Sequence, residues 1–270
     1  MAGLRDYTNK VAVITGASSG IGAELARQLA HKGMRVAVVA RRTDRLELLA
    51  EQIEQAAGTT SVHVCDVANR TAVESCAKEI QSVHGRIDLL VNCAGYVRHV
   101  LFKDHDLDDI EHMIQTNYLG TVYWIKQTLP LMRSQGAGWI LNFSSFAGLI
   151  PQPDEAAYTA TKFAIAGLSD ALVYELEPLG IHVMCVYPVL VRTEMFTPEV
   201  LARMPDDSEK RFMEADRFVA ETLRALERGK NHLVLPRSYR GVVILKTLFP
   251  KLMGRKIGDV RLKVLKDLCS

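Results

Sequence analysis

A tyrosine and a lysine four residues apart, Tyr158-Thr-Ala-Thr-Lys162, lie thirteen residues beyond a serine, Ser145. On a helix such a pair shares one face, about one turn apart. A phenol titrates near pH ~10 in water, and a neighbouring ammonium lowers that by favouring the phenolate. Making the phenolate ten times easier to form takes about 1.4 kcal/mol of such attraction. The pair is a candidate proton donor and acceptor near neutral pH. A serine hydroxyl at a preceding strand end is a candidate to hold a carbonyl oxygen beside it. Alone, Tyr-x-x-x-Lys is common on solvated helix faces, so its weight depends on the elements around it.

Those elements alternate. Val11-Ala-Val-Ile-Thr15 is a short apolar run, followed by a glycine-rich turn and by Ile21, Leu25 and Leu29 at helical spacing. Further strands are predicted at 35–40, 62–65, 87–91, 139–143, 181–187 and 232–235. Helices are predicted at 43–57, 71–83, 108–132, 155–177 and 217–227. Continuously apolar strands alternating with helices indicate a parallel sheet covered on both faces, an α/β doubly wound fold of the Rossmann type. No linker or repeat divides the pattern, which predicts one domain over 1–236 and a C-terminal extension over 237–270.

The bulk numbers fit. Of 270 residues, 48% are hydrophobic and 24% charged, the balance of a globular protein with ample core. The first strand begins too close to the N-terminus for a signal peptide, and no run approaches the ~18 apolar residues of a membrane span. Five dispersed cysteines, at 65, 76, 93, 185 and 269, read as reduced thiols of a cytoplasmic protein. Neither they nor the eight histidines show metal-binding spacing, so no metal site is predicted. The net charge of +2 hides an asymmetry. The extension carries nine lysines and arginines against two aspartates, on an acidic body.

Thr15-Gly16-Ala-Ser-Ser-Gly20-Ile-Gly22 stands between the first strand and first helix, where a dinucleotide's pyrophosphate would bind. Glycines let the backbone approach the phosphates, and free N–H groups at the helix start meet their charge. The spacing is G-x-x-x-G-x-G, not the generic G-x-G-x-x-G. The second strand ends in Ala40-Arg41-Arg42, with no acid to bond a ribose 2′-hydroxyl; arginines there suit a 2′-phosphate, favouring NADP(H). Asp66 after the third strand either caps the next element or contacts adenine.

With these pieces placed, the chain resembles the short-chain dehydrogenase/reductase family from about Lys10 to Pro236. The resemblance rests on TGASSGIG (15–22), CDV (65–67), NCAG (92–95), Asn117 in QTNYLG, FSSFAG (143–148), Tyr158 with Lys162, and Pro188 through Thr193. It implies Tyr158 as the catalytic acid/base and Ser145 as the residue that orients the substrate oxygen, with Ser144 as its competitor. It implies that Lys162 lowers the tyrosine pKa and holds the nicotinamide ribose, and that Asn117 keeps a helix locally open for a proton-relaying water. Gly16, Ser18, Gly20, Ile21 and Gly22 would line the pyrophosphate turn, and Asp66 and Val67 would border the adenine. Asn92, Ala94 and Gly95 would sit beneath the ribose, and Pro188, Val191 and Thr193 would border the nicotinamide. Two departures stand out: Pro188-Val189 replaces the usual Pro-Gly, and Cys93 replaces an asparagine.

The implied chemistry is hydride transfer between nicotinamide and a carbonyl carbon, with reduction the favoured direction. The pocket loops supply Tyr96, Val97, Leu101, Phe102, Ile150, Val189, Leu190, Met195 and Phe196, which suggests a hydrophobic ketone. Residues 194–211 read as a mobile lid. Within the family the chain resembles reductases of long-chain keto-lipids and hydroxysteroid dehydrogenases. An alternative is a catalytically silent NADP(H)-binding sensor or scaffold. Helices 108–132 and 155–177 resemble the family's dimer interface, implying a homodimer or homotetramer. The basic, partly apolar extension either folds over its own subunit or a partner, or lies on an anionic membrane. It lacks the aromatics or motif of a nucleic-acid binder.

Overall fold

The structure is a computed structural model that describes residues 3–202, 208–252 and 254–255. Seven parallel strands form one sheet in the order β3-β2-β1-β4-β5-β6-β7. They are β1 (Val11–Thr15), β2 (Arg35–Ala40), β3 (Thr59–Val64), β4 (Leu89–Asn92), β5 (Gly138–Phe143), β6 (Ile181–Pro188) and β7 (His232–Leu235). The helices between them are α1 (Gly20–His31), α2 (Thr43–Gln55), α3 (Arg70–His84), α4 (Leu107–Ile114), α5 (Gly120–Gln135), α6 (Ala156–Leu176), α7 (Pro198–Ala202), α8 (Ala215–Glu227) and α9 (Arg240–Leu248).

Strand residues alternate between two cores, as a pleat of period two requires. Ile14, Val38, Val91 and Val186 face a layer that includes α1, α2 and α8. Val13, Val39, Leu90 and Val183 face the layer of α3, α5 and the end of α6. Burial on both faces explains why these strands read as unbroken apolar runs rather than as an alternation.

Strand order reverses direction between β1 and β4, and in such a sheet the crevice at the strand C-termini is the natural ligand site. The helix predicted at 108–132 is in fact α4 and α5 joined by a π turn over Gln115–Leu119. Hydrophobic periodicity cannot show such a turn, because one extra residue barely disturbs the apolar stripe. The other predicted elements are present, with ends displaced by a few residues.

The extension starts as structure rather than as a loose tail. The Tyr239 ring meets the Phe146 ring edge-on at 5.3 Å, and Lys246 donates to the Leu149 carbonyl while its ammonium lies over Phe163. Residues 256–270 lie outside the described residues, as do 203–207 of the expected lid.

Candidate active site

One cavity of about 640 Å³ runs along the strand C-termini. Its walls come from the turns after β1 to β6 and from the loop before α7.

The floor is backbone. Gly16 has φ +68°, and a Cβ there would come within 2.8 Å of Ala94. Gly22 lies against the Gly16 carbonyl, so that a Cβ would occupy the carbonyl's own space. Only glycine permits both, and the result brings the open N-terminus of α1 to the cavity. Gly20 and Ile21 complete the turn, and the Thr193 side chain packs on Gly20. Ala94, Gly95, Pro188 and Val191 continue this surface. The set suits a pyrophosphate: close backbone approach, unpaired helix N–H groups and a concave space beyond them.

Arg42 stands at the mouth of this floor. It donates to the Ser18 and Ser19 hydroxyls, at 3.0 and 2.8 Å, and pairs with Glu194 at 3.4 Å. Arg45 meets the same carboxylate at 3.6 Å, and Arg41 lies 3.8 Å from Asp66. Both Arg45 and Glu194 escape a sequence reading, since nothing in their spacing announces that the loop after β6 returns to the end of β2. Asp66 accepts the Ala68 N–H at 3.0 Å, closing a turn, while Asn69 caps α3. Asp66 thus does not cap the helix. Val67 is buried and packs against Gly120, at the edge of the cavity.

One asparagine expected near the ligand has its side chain elsewhere. Asn92 is buried in the sheet and donates to Asn142 Oδ1 at 2.9 Å, so it does not line the cavity. The parity of β4 explains this: the flat crevice takes the residues after the strand, not its last side chain. Asn117, on the π turn, accepts the Tyr96 N–H at 2.9 Å and donates to the Tyr96 carbonyl at 2.8 Å. It pins the loop after β4 against α6, where Thr161 also lies in reach at 3.3 Å.

The two serines separate cleanly. Ser144 is buried and donates to the Lys162 carbonyl at 2.7 Å. Ser145 opens the turn after β5, accepts the Ala147 N–H at 3.1 Å and stands beside the Tyr158 phenol. Tyr158 and Lys162 lie one turn apart on α6, both nearly buried and both in the cavity wall.

Their electrostatics differ from the expectation of a lysine-lowered phenol. Burial pushes the Tyr158 pKa well above its ordinary value; the Ser145 hydroxyl opposes this, and the Glu155 charge adds to it. Burial lowers Lys162 to about 8. The ammonium donates to the Phe143 carbonyl at 2.9 Å and lies 5.5 Å from the Tyr158 ring centroid. In the protein alone, desolvation therefore dominates both groups.

Tyr96, Val97, Val189, Leu190, Met195 and Phe196 supply apolar wall to the same cavity. Leu101, Phe102 and Ile150 do not line it: Phe102 points to solvent and Ile150 packs beneath the loop. A polar cluster breaks the apolar wall. His99 Nδ1 lies 3.2 Å from Glu155 Oε1 and 3.7 Å from Asp154 Oδ2. These are metal-ligating residue types within 4.8 Å of one another, and the imidazole Nδ1 is within ion-pair distance of both carboxylates. Glu155 is within reach of a sequence reading, three residues before Tyr158. Its encounter with His99 is not, because the two residues stand on different loops, 56 residues apart.

A parallel sheet with a glycine floor at its switch point and a Ser-Tyr-Lys wall defines a dinucleotide-binding oxidoreductase architecture. The short chain dehydrogenase family model matches residues 10–203, and the chain belongs to that family. It is 32% identical over 194 residues to an uncharacterized oxidoreductase of Staphylococcus haemolyticus, covering 71% of this chain and 82% of the relative. It is 32% identical over 269 residues to 11-beta-hydroxysteroid dehydrogenase-like 2 of Arabidopsis thaliana, covering 97% and 84%. Among solved structures, a short-chain dehydrogenase from Sphingobium yanoikuyae in complex with NADPH superposes with a TM-score of 0.78 at 28% identity, covering 91% of this chain and 95% of that one.

Proposed function

We propose that the protein is an NADP(H)-dependent reductase of apolar ketones or aldehydes. When bound, the cofactor supplies a hydride to the carbonyl carbon. Gly16, Gly20, Ile21 and Gly22 hold its pyrophosphate; Arg41, Arg42 and Ser18 meet its 2′-phosphate; Asp66 and Val67 flank its adenine. Ala94, Gly95 and Lys162 support its ribose, and Pro188, Val191 and Thr193 border the nicotinamide. The NADPH-bound relative and the absence of an acid at the end of β2 support the cofactor choice.

Ser145 and Tyr158 donate hydrogen bonds to the substrate oxygen and stabilise its developing negative charge. Tyr158 then delivers its proton to that oxygen. The observation that carries this reading is geometric: the Tyr158 phenol, with the Ser145 hydroxyl beside it and Lys162 one turn along α6, stands in the wall of the cavity that the glycine floor opens into. Asn117 keeps the loop after β4 and the helix bearing Tyr158 in register, and its π turn leaves room for a proton-relaying water. The apolar wall selects a hydrophobic substrate.

Exposed Ile114 on α4 and Phe163 and Tyr174 on α6 support association of these helices in a homodimer or homotetramer. Ile244, Leu245, Leu248, Phe249 and Leu252 are exposed beside Lys251, which supports peripheral contact of the extension with an anionic membrane while its inner side, with Lys246, docks on its own subunit. No helix among the described residues is long and apolar enough to cross a membrane. Cys65, Cys76, Cys93 and Cys185 are free, which suits the reducing cytoplasm.

NADPH oxidation against steroid, sphingoid, aliphatic and aromatic ketones tests the reading. Tyr158→Phe should lower kcat by about 10²–10⁴-fold with NADPH affinity retained. Full activity in that variant would sink the assignment, and tight NADPH binding without turnover on any ketone would favour a silent sensor.

A further inference from the structure

The polar cluster in the substrate wall touches the chemistry just described only through the Glu155 charge near Tyr158, and His99 has no part in it. His99 stands on the loop after β4; Asp154 and Glu155 lead into α6. The His99 side chain is 15% exposed and lies in the cavity wall among apolar groups. Its Nδ1 faces both carboxylates. Its Nε2 has no protein partner among the described residues and is not sealed away from the cavity. One carboxylate suffices to orient an imidazole. Two around the same nitrogen also hold the ring as a cation: burial opposes the charge, but the hydrogen bonds and charges of Asp154 and Glu155 together raise His99 to about 9. An imidazolium has a proton on both nitrogens, so Nε2 is a donor, never an acceptor, at neutral pH.

We propose that His99 is a specificity-determining residue whose Nε2–H binds a second acceptor oxygen on the substrate, away from the carbonyl that is reduced. The substrate class is therefore an apolar ketone with another carbonyl or hydroxyl on its skeleton, not a plain hydrocarbon ketone. The inference deepens the reductase reading and rests on it for the place of the reacting carbonyl. Asp154 and Glu155 are positioning residues that fix the ring and its charge. Of the other titratable groups around the cavity, Tyr158 serves the reacting oxygen, Lys162 supports the ribose, Arg41, Arg42, Asp66 and Glu194 stand at the cofactor mouth, and Arg211 lines the wall with an interaction of its own; Arg98 turns away to Asp109 at 3.4 Å.

The test compares bicyclic monoketones with diketones of the same skeleton, in a series that varies the position of the second oxygen. Binding to the NADP⁺-loaded protein is measured by calorimetry and kcat/KM by NADPH oxidation. The native protein should favour its best diketone by about 10–100-fold, the range for one hydrogen bond from a charged donor. His99→Leu should erase that preference through KM, bringing diketone and monoketone to the same kcat/KM, with NADP⁺ affinity unchanged. Because Leu leaves two carboxylates facing an apolar group, His99→Gln is the second variant: it keeps a donor and should keep part of the preference.

The ratio of diketone to monoketone should also fall as pH rises through about 9, where Nε2 loses its proton and becomes an acceptor. Tyr158 and Lys162 act on both substrates, so their titration cancels in that ratio. His99→Gln should show no such fall. A preference that survives His99→Leu, equal losses for both ketones, or a ratio flat to pH 10 would overturn the proposal. If the diketone preference appears in binding while neither ketone is reduced, the reductase reading fails and the His99 assignment stands. If both ketones are reduced and bound equally well, the reverse holds.

Discussion

The two ends of the cavity are made of different material. The cofactor end is backbone: Gly16 and Gly22 approach Ala94 and each other so closely that no side chain fits between. The substrate end is side chain: Tyr96 from the loop after β4 and Leu190, Met195 and Phe196 from the loop after β6, with His99 tied to Asp154 and Glu155. A backbone floor tolerates almost no substitution and binds a group that every member of a family shares. A side-chain wall can be rebuilt residue by residue while the floor stays as it is, which is how one fold serves many substrates.

The sharpest way to break this contrast is to give the floor a side chain. Gly16→Val combines a left-handed backbone, which costs about 1–3 kcal/mol for a residue with Cβ, with a collision against Ala94. We expect at least a ~100-fold loss of NADPH affinity and a lowered Tm; retained affinity by fluorescence titration would show that the floor is not rigid. Next in size is the mouth of the floor. Arg41→Ala should weaken NADPH by about 10–100-fold relative to NADH, the worth of a charge-assisted bond to phosphate. Equal loss for both nucleotides would refute the 2′-phosphate contact.

The wall gives smaller effects, and pH reaches one of them. His99 is raised in the folded protein from 6.5 to about 9, so its stabilising ion pair is fully present below pH ~6.5 and is lost as pH rises through about 9. Lys162 works oppositely: lowered from 10.5 to about 8, it destabilises the fold at neutral pH and ceases to do so as pH rises from about 8 to 10.5. The Tm difference between the native protein and His99→Gln isolates the first effect and should shrink between pH 6.5 and 9. A difference that stays constant would show that the ion pair does not hold the loops. The smallest effect belongs to the boundary between floor and wall. Val189→Gly removes apolar surface from the cavity and should raise KM for small ketones by about fourfold per lost methylene contact, leaving NADPH affinity alone. An equal change in NADPH affinity would place Val189 on the floor.

Legibility in the sequence follows the same division. The floor is legible because turns and helix starts are local: Thr15 to Gly22 and Tyr158 with Lys162 carry their geometry in their own spacing. The π turn at Asn117 is readable only through family resemblance, since an apolar stripe survives one inserted residue. Asn92 shows the limit of position without parity: family position puts it beneath the ribose, and the pleat of β4 turns it into the sheet toward Asn142 instead.

By itself the sequence determined the alternation of strands and helices, the glycine turn and the spacing from Ser145 to Tyr158 to Lys162, because each depends on residues within a few turns of one another. Tertiary structure alone decided that Ser144 is spent on the Lys162 carbonyl, how strongly burial acts on the phenol, and that Glu194 returns to Arg42. It also decided that His99 meets Asp154 and Glu155. Desolvation and encounters between loops depend on everything packed around a group, and neither is written in any one segment of the chain.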